Sequence, residues 1–223
     1  MKKAKIAEIF SSIQGEGLYA GEEQIFVRFY GCNLSCGFCD EKQKILFSEY
    51  TPAGLAERVM EEEKGTVSLT GGEPLLQADF LKETLPLLKA KGRRTYLETN
   101  GTLVAGLLET LDHVDIVSMD IKLPSSTGIR PFWREHTLFL KEAAAKDVFV
   151  KAVVTPETLL SDIETAVSIV RSVNKNIPFI IQPVSYNNKF GGISLLPVFL
   201  KASRGVLDNV KIIPQIHKIL GVR

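Results

Sequence analysis

Short β-type runs alternate with amphipathic helical patterns along this chain of 223 residues. Apolar, β-branched and aromatic runs predict strands at 24–30, 66–69, 94–97, 114–121, 148–154, 178–183 and 210–213. Helical periodicity predicts helices at 53–63, 79–91, 133–145, 157–173 and 194–203. Such alternation builds a mostly parallel sheet, and about six β/α units are too few for a complete eightfold barrel. We therefore expect an α/β fold, a partial TIM-like β/α barrel of about six parallel strands, as a single domain over residues 1–223.

Composition narrows the class of protein. Hydrophobic residues make up 45% and charged residues 24%, which is typical of a soluble globular chain. The net charge of +1 does not favour bulk nucleic-acid binding, and no apolar run is long enough to span a membrane. Glu8 interrupts the apolar run after the basic start, so no signal peptide is predicted. Three clustered cysteines do not form a disulfide framework, and we expect a reducing cytoplasm.

Prolines mark three places along the helical stretches. Thr51-Pro52 and Thr155-Pro156 each offer a threonine cap followed by a proline in the first turn, so both predict helix starts. Pro86 falls inside the second helical stretch and is expected to kink or split it.

Several predicted strands carry polar side chains on one face. Side chains alternate along a strand, so period two places Ser118, Asp120 and Lys122 together on one face of their strand. Polar residues interrupt three other strands, namely Arg28, Lys151 and Gln182. Together they predict a polar interior at one mouth of the barrel, where small-molecule sites in α/β folds usually lie.

All three cysteines lie within eight residues, Cys32, Cys36 and Cys39, in a C-x3-C-x2-C pattern. A closed zinc or iron–sulfur site normally has four protein ligands, so the fourth must come from elsewhere. A [4Fe–4S] cluster held by three thiolates leaves one iron open for chemistry. One alternative is a zinc site completed by a histidine, although His113, His136 and His217 all lie far along the chain. A redox C-x2-C pair is another alternative, but it leaves Cys32 unexplained.

A second motif, Thr70-Gly71-Gly72-Glu73-Pro74, directly follows a predicted strand. Its two glycines let the backbone approach a ligand closely. Together with the cysteine loop, in which Phe38 precedes the last cysteine, it resembles the radical S-adenosylmethionine (SAM) superfamily. That resemblance implies a radical SAM core with SAM bound at the open iron. It also implies reductive cleavage of SAM to methionine and a 5′-deoxyadenosyl radical.

A narrower resemblance covers nearly the whole chain. It rests on these stretches: 10–17, Arg28, Cys39-Asp40, 70–77, 98–102, 120–125 and 214–218. They are similar to the 7-carboxy-7-deazaguanine synthases, which convert 6-carboxy-5,6,7,8-tetrahydropterin to 7-carboxy-7-deazaguanine with loss of ammonia. This is a step on the route to queuosine, a tRNA modification, and to related 7-deazapurines. The resemblance implies a lyase that uses SAM catalytically with the help of Mg²⁺.

The resemblance also assigns site residues. Cys32, Cys36 and Cys39 would hold the cluster. The positions that would contact SAM are Phe38, Cys39, Asp40, Gly72, Glu73, Ser118, Asp120 and Gln182. The positions that would contact the pterin are Gln14, Gly15, Glu16, Arg28, Thr70 and His217. A carboxylate suits the paired N–H groups of the pterin, and Arg28 would clamp the substrate carboxylate. No catalytic acid or base is assigned.

One position departs from the family pattern. Family members commonly have threonine after Cys-Asp, and its hydroxyl ligates Mg²⁺, whereas this chain has Glu41. A carboxylate is also an oxygen ligand for a hard cation, so we expect Glu41 to take the place of threonine. The alternative is that Glu41 points away from the ion and that the dependence on Mg²⁺ is weakened or lost.

Two other functions remain open from the sequence. A glycyl-radical activating enzyme shares the cysteine spacing but must dock a large protein. A non-catalytic iron–sulfur electron carrier has little need of an open iron. Family analogy implies a flavodoxin or ferredoxin as electron donor and a homodimer, with no nucleic-acid or membrane partner.

Overall fold

The computed structural model describes residues 2–39, 46–185 and 193–222, in which nine strands form one sheet. The strands are β1 Ala4–Ile13, β2 Glu23–Phe29, β3 Ser48–Tyr50, β4 Thr66–Gly71, β5 Arg94–Thr99, β6 Ile116–Asp120, β7 Asp147–Val154, β8 Phe179–Pro183 and β9 Val210–Ile212. Their order across the sheet is β3-β1-β2-β4-β5-β6-β7-β8-β9. From β2 through β9 every pairing is parallel, whereas β1 is antiparallel to both β2 and β3.

The open, mostly parallel sheet confirms the predicted α/β fold and is consistent with a partial barrel. Seven strands share the parallel direction in the described residues, slightly more than the six or so expected. All seven predicted strands are present, but β1 and β3 were not predicted. Strand β1 extends the sheet by pairing with β2 along most of its length, with Glu8 opposite Arg28.

Helices cover the outer face of the sheet. In the described residues they are α1 Pro52–Met60, α2 Ala78–Ala90, α3 Val104–Thr110, α4 Pro124–Thr127, α5 Trp133–Ala143, α6 Leu160–Val173, α7 Leu196–Arg204 and α8 Ile216–Leu220. The five predicted helices correspond to α1, α2, α5, α6 and α7. Outward-facing strand residues such as Leu69, Val117 and Ile181 are fully buried against this layer. This apolar layer is the main core, and its burial is the largest favourable contribution to folding.

The inner face of the sheet is apolar at one end and polar at the other. Near the amino ends of the strands, Tyr96, Ile116, Phe149 and Ile180 form a small buried cluster. A 3-10 helix, Gly17–Tyr19, packs against this cluster and closes that end. The polar inward-facing residues therefore lie toward the carboxyl ends.

One of the two predicted helix starts is confirmed. Thr51 Oγ1 accepts a hydrogen bond from Gly54 N at 3.1 Å and caps α1, which begins at Pro52. The prediction at Thr155 is wrong, because α6 begins only at Leu160. Thr158 Oγ1 accepts from Thr155 N at 2.7 Å, and this local turn competes with helix formation.

Pro86 does not split α2, which runs unbroken from Ala78 to Ala90. Several of its side chains, including Leu81, Leu85 and Leu88, are fully buried, so packing outweighs the one backbone bond that proline removes. Among the described residues, no helix is both long and apolar enough to cross a membrane.

Candidate active site

A cavity of about 480 Å³ lies at the carboxyl ends of the parallel strands. Arg28, Thr70, Ser118, Lys151 and Gln182 come from five different strands and all line it. The Cys32–Cys39 loop forms another wall, with all three cysteines at the cavity. The predicted polar mouth of the barrel is therefore present and is the same space that the cysteines border.

The Gly71-Gly72 pair lets the end of β4 pack closely against the end of β2 and the start of the cysteine loop. A Cβ on Gly72 would lie 1.8 Å from the backbone oxygen of Gly31, just before Cys32. Gly71 has a φ of +106°, and a Cβ there would lie 2.5 Å from Phe29 O. Glu73 N also donates to Gly31 O at 2.9 Å. The end of β4 thus holds the start of the cysteine loop at a distance that only glycine allows.

Glu73 lies behind the cavity wall, among fully buried residues. Its carboxylate accepts hydrogen bonds from Leu75 N at 3.1 Å, Thr99 Oγ1 at 2.9 Å and Asn100 N at 2.7 Å. Burial raises the pKa of this carboxyl to about 7, although these bonds oppose the shift. The side chain thus joins the ends of β4 and β5, directly beside the cavity, and its contact with SAM stays a prediction.

Lys151 is the centre of a buried charge network. Its ammonium contacts Glu16 directly and lies 4.0 Å from Asp120 Oδ2. Burial alone would lower the pKa of Lys151, but Glu16, Asp120 and Glu98 raise it above its ordinary value. Burial would likewise raise the pKa of Glu16, but the Lys151 ammonium holds it well below its usual range. Both groups are therefore charged at neutral pH.

A second carboxylate, Glu98 on β5, organises the floor of the cavity. It accepts hydrogen bonds from Gln14 Nε2 at 2.8 Å and Thr70 Oγ1 at 2.7 Å. Gln14 Oε1 in turn accepts from Glu16 N at 3.0 Å, which fixes the turn that presents the Glu16 carboxylate. Residues from three separate parts of the chain are thus joined in one polar layer.

The C-terminal segment closes over the Gln14–Glu16 turn. Gln215 Nε2 donates to Glu16 Oε1 at 2.7 Å, and Ile216 N donates to Gly15 O at 2.8 Å. A Cβ on Gly15 would lie 2.1 Å from His217 Nδ1, so the absence of a side chain there lets the imidazole pack on the turn. This contact brings His217 to the cavity.

Arg28 reaches the cavity from β2 and already has neighbours on β1. Its Nε lies 3.3 Å from Glu8 Oε2, and its guanidinium lies over the Phe10 ring at 5.4 Å. Since Glu8 is opposite Arg28 in the strand register, the unpredicted strand β1 positions this arginine.

The structure brings most predicted site residues to one cavity. Those lining it are Gln14, Gly15, Glu16, Arg28, Cys32, Cys36, Phe38, Cys39, Thr70, Gly72, Ser118, Asp120, Gln182 and His217. Asp40 and Glu41 lie outside the described residues. Sequence reasoning assigned no site role to Glu98, Lys151 or Gln215. The signal for Lys151 was its position within an apolar strand, and Glu98 and Gln215 fall in stretches that carried the family resemblance.

His136 on α5 is buried behind the site, and its Nε2 hydrogen-bonds Asn100 O at 3.1 Å. Among the described residues, its Nδ1 has no hydrogen-bond partner. Burial lowers the pKa of this imidazole to about 4. His136 is therefore neutral in the folded protein at physiological pH.

We expect His136 to make folding sensitive to acid. Because its folded pKa of about 4 is below the ordinary 6.5, its stability contribution is complete above pH 6.5 and is lost as the pH falls toward 4. The free energy of unfolding of the apoprotein is measured in urea at pH 8 and at pH 5. Its decrease between the two pH values should be about 2 kcal/mol smaller in His136→Gln than in the wild type. Glu73 titrates in the opposite sense, so only the difference between the two proteins isolates His136. The exposed His113→Gln is the control, and a His136→Gln protein that keeps the full wild-type loss contradicts this assignment.

Comparison with known proteins agrees with this geometry. The sequence model of the radical SAM superfamily matches residues 26–170. A 7-carboxy-7-deazaguanine synthase of Geobacter sulfurreducens is 37% identical, with 98% of this chain and 97% of the relative aligned. The synthase of Methanothermobacter thermautotrophicus is 32% identical over 100% of this chain and 99% of the relative. The crystal structure of QueE from Escherichia coli aligns with a TM-score of 0.64, covering 94% of this chain and 93% of that chain at 19% identity, and supports the fold.

Proposed function

Since the chain belongs to the radical SAM superfamily and, within it, to the 7-carboxy-7-deazaguanine synthase family, we propose that it converts 6-carboxy-5,6,7,8-tetrahydropterin to 7-carboxy-7-deazaguanine. The reaction releases ammonia, which makes the protein a lyase on the route to queuosine and related 7-deazapurines. The observation that carries the proposal is that one cavity is lined both by the three cysteines and by Glu16, Arg28 and His217. The last three side chains suit a carboxylated pterin.

The cysteine loop fits an iron–sulfur cluster better than a single metal ion. Burial raises the pKa of the Cys32 and Cys36 thiols, so metal binding must displace their protons. In the described parts of the chain, no three His, Cys, Asp or Glu side chains converge on one ion, as a zinc site would require. A [4Fe–4S] cluster held by Cys32, Cys36 and Cys39 would not need the three thiolates to meet at one ion. When bound, this cluster would supply the electron that cleaves SAM.

Two orphaned acceptors support a SAM site beside the cysteines. Asp120 Oδ1 and Gln182 Oε1 are buried and have no hydrogen-bond partner in the described residues. Buried acceptors of this kind normally have partners, and the ammonium, hydroxyl and amino groups of SAM could supply the missing donors. We propose that SAM contacts Phe38, Cys39, Asp40, Gly72, Glu73, Ser118, Asp120 and Gln182.

The other end of the cavity suits the pterin. Glu16, kept ionised by Lys151, would accept the paired N–H donors of the substrate ring, with Gln14 and Gly15 completing that edge. Arg28 would bind the substrate carboxylate, while Thr70 and His217 complete the pocket. Arg28 is already paired with the Glu8 carboxylate, which lowers the local positive charge. A substrate group that binds Arg28 must compete with this carboxylate, so it should itself be an anion.

We also propose a single domain over residues 1–223, a cytoplasmic location, a homodimer and a flavodoxin or ferredoxin donor. Mg²⁺ would assist, with Glu41 as a ligand. The glycyl-radical activating and electron-carrier alternatives are less well supported, because neither needs a buried carboxylate–lysine pair at a small-molecule cavity.

The test is an anaerobic assay of the reconstituted protein with SAM, a reductant and 6-carboxytetrahydropterin, with and without Mg²⁺, analysed by mass spectrometry. Formation of 7-carboxy-7-deazaguanine with recovery of SAM supports the proposal. Formation of 5′-deoxyadenosine without this product means that the chemistry is right and the substrate wrong. Unreacted SAM in the presence of an intact cluster overturns the proposal.

A further inference from the structure

Asn100, directly after β5, has a hydrogen-bond partner for each of its backbone groups and for its side-chain oxygen. Its N donates to Glu73 Oε2 at 2.7 Å, and its O is the partner of His136 Nε2 at 3.1 Å. Its side-chain Oδ1 accepts from Thr102 Oγ1 at 2.6 Å and from Thr102 N at 3.1 Å. These two donors fix the orientation of the amide. If the amide were flipped, its Nδ2 donor would face the Thr102 donors and neither hydrogen bond could form.

The fixed amide directs its donor group at the cysteine loop. Asn100 Nδ2 lies 2.8 Å from Asn33 Oδ1 and 3.9 Å from Cys32 Sγ. Asn33 Nδ2 donates to Thr102 Oγ1 at 2.9 Å, which closes a ring of three side chains. Leu34 N, 3.4 Å from the same sulfur, is a second donor. Cys32 is thus the one cysteine for which the structure records a side-chain donor, within the described residues.

We infer that Asn100 is a positioning residue for the cluster, donating an Nδ2–H hydrogen bond to the Cys32 thiolate and thereby raising the reduction potential. This rests on the proposed function, since it requires the cluster. The reduced cluster carries one more negative charge than the oxidised one, and a donor aimed at sulfur stabilises it more. Glu73, His136 and Thr102 contribute by holding the amide in place.

The test is an electrochemical titration of the anaerobically reconstituted protein followed by electron paramagnetic resonance. Asn100→Leu keeps the size of the side chain and removes its donor. At a fixed potential we expect its ratio of reduced to oxidised cluster to fall about tenfold, which is 59 mV for a one-electron couple. Asn100→Asp keeps the acceptor for Thr102 but places a carboxylate oxygen at the sulfur, and it should shift the ratio further. The exposed Asn176→Leu is the matched control and should titrate like the wild type.

If Asn100→Leu binds too little iron, Thr102→Val is titrated in its place. It removes the hydroxyl that orients the amide, so a smaller shift in the same direction is expected. An unchanged potential in these variants, with full iron content, overturns the inference while leaving the proposed function intact. A wild type that assembles no [4Fe–4S] cluster overturns both.

Discussion

Gly72→Ala is expected to disrupt the cluster site. Its new Cβ would lie 1.8 Å from the backbone oxygen of Gly31, and backbone cannot move aside as a flexible side chain can. The cysteine loop must shift, and displacements of about 1 Å can cost roughly 100-fold in rate. We therefore expect a large loss of iron after reconstitution and a roughly 100-fold slower cleavage of SAM. Overpacking should also lower the free energy of unfolding by about 1–3 kcal/mol.

Gly65→Ala is the matched control for this change. Gly65 directly precedes β4, and among the described residues no atom beyond Gly65 and its two chain neighbours lies within 4 Å of the Cβ that alanine would add. It should retain the iron content and rate of the wild type. A Gly72→Ala protein with the same iron content and rate as Gly65→Ala would show that the close approach is unimportant for the site.

Lys151→Met should be the most damaging change to the buried charge network. The side chain is 8% exposed, and its loss leaves the Glu16 carboxylate without its cation, whereas Asp120 keeps Lys122 at 2.8 Å. Removing one partner of a buried pair typically costs about 3–5 kcal/mol of stability. Without the ammonium, the pKa of Glu16 rises, because burial then dominates. The acid limb of the pH–rate profile should therefore move to higher pH, together with a higher KM for the pterin.

A double-mutant cycle separates this network from general destabilisation. Glu16→Gln combined with Lys151→Met should cost less than the sum of the two single changes, because the pair is removed together. Lys175→Met provides the control. The side chains of Lys175 and of its partner Asp208 are 61% and 51% exposed, and such surface pairs contribute about 0–1 kcal/mol. Additive effects of Glu16→Gln and Lys151→Met would mean that the two groups do not interact as described.

Short sequence patterns correctly predicted helix starts and strands where the residues of the segment itself decide its structure. The Thr51 cap and the strands with period-two alternation are of this kind. Strand β1 was missed because its run from Ala4 to Ile13 mixes polar and apolar residues, and it becomes a strand by pairing with β2. Thr155 failed as a helix cap because a nearby hydroxyl, that of Thr158, offers a competing turn.

The two glycines of the second motif were predicted to let the backbone approach a ligand closely, and that contact stays a prediction. The structure adds a partner that was not predicted, since the chain's own Gly31 lies against Gly72. Glu73, which was predicted to contact SAM, is also a buried link between two strand ends, and this link was not predicted. The residue type shows whether a side chain is absent or charged, but the sequence does not show which part of the chain lies opposite it.

By itself the sequence determined the alternating α/β fold and the family, because these depend on local periodicity and on motifs a few residues long. Tertiary structure alone decided the partners: Glu16 with Lys151 and Gln215, Glu98 with Gln14 and Thr70, and Asn100 with the cysteine loop. Each of these contacts joins residues far apart in the chain. A pattern of alternation tells which face a residue occupies, whereas the choice of partner requires the register and curvature of the whole sheet.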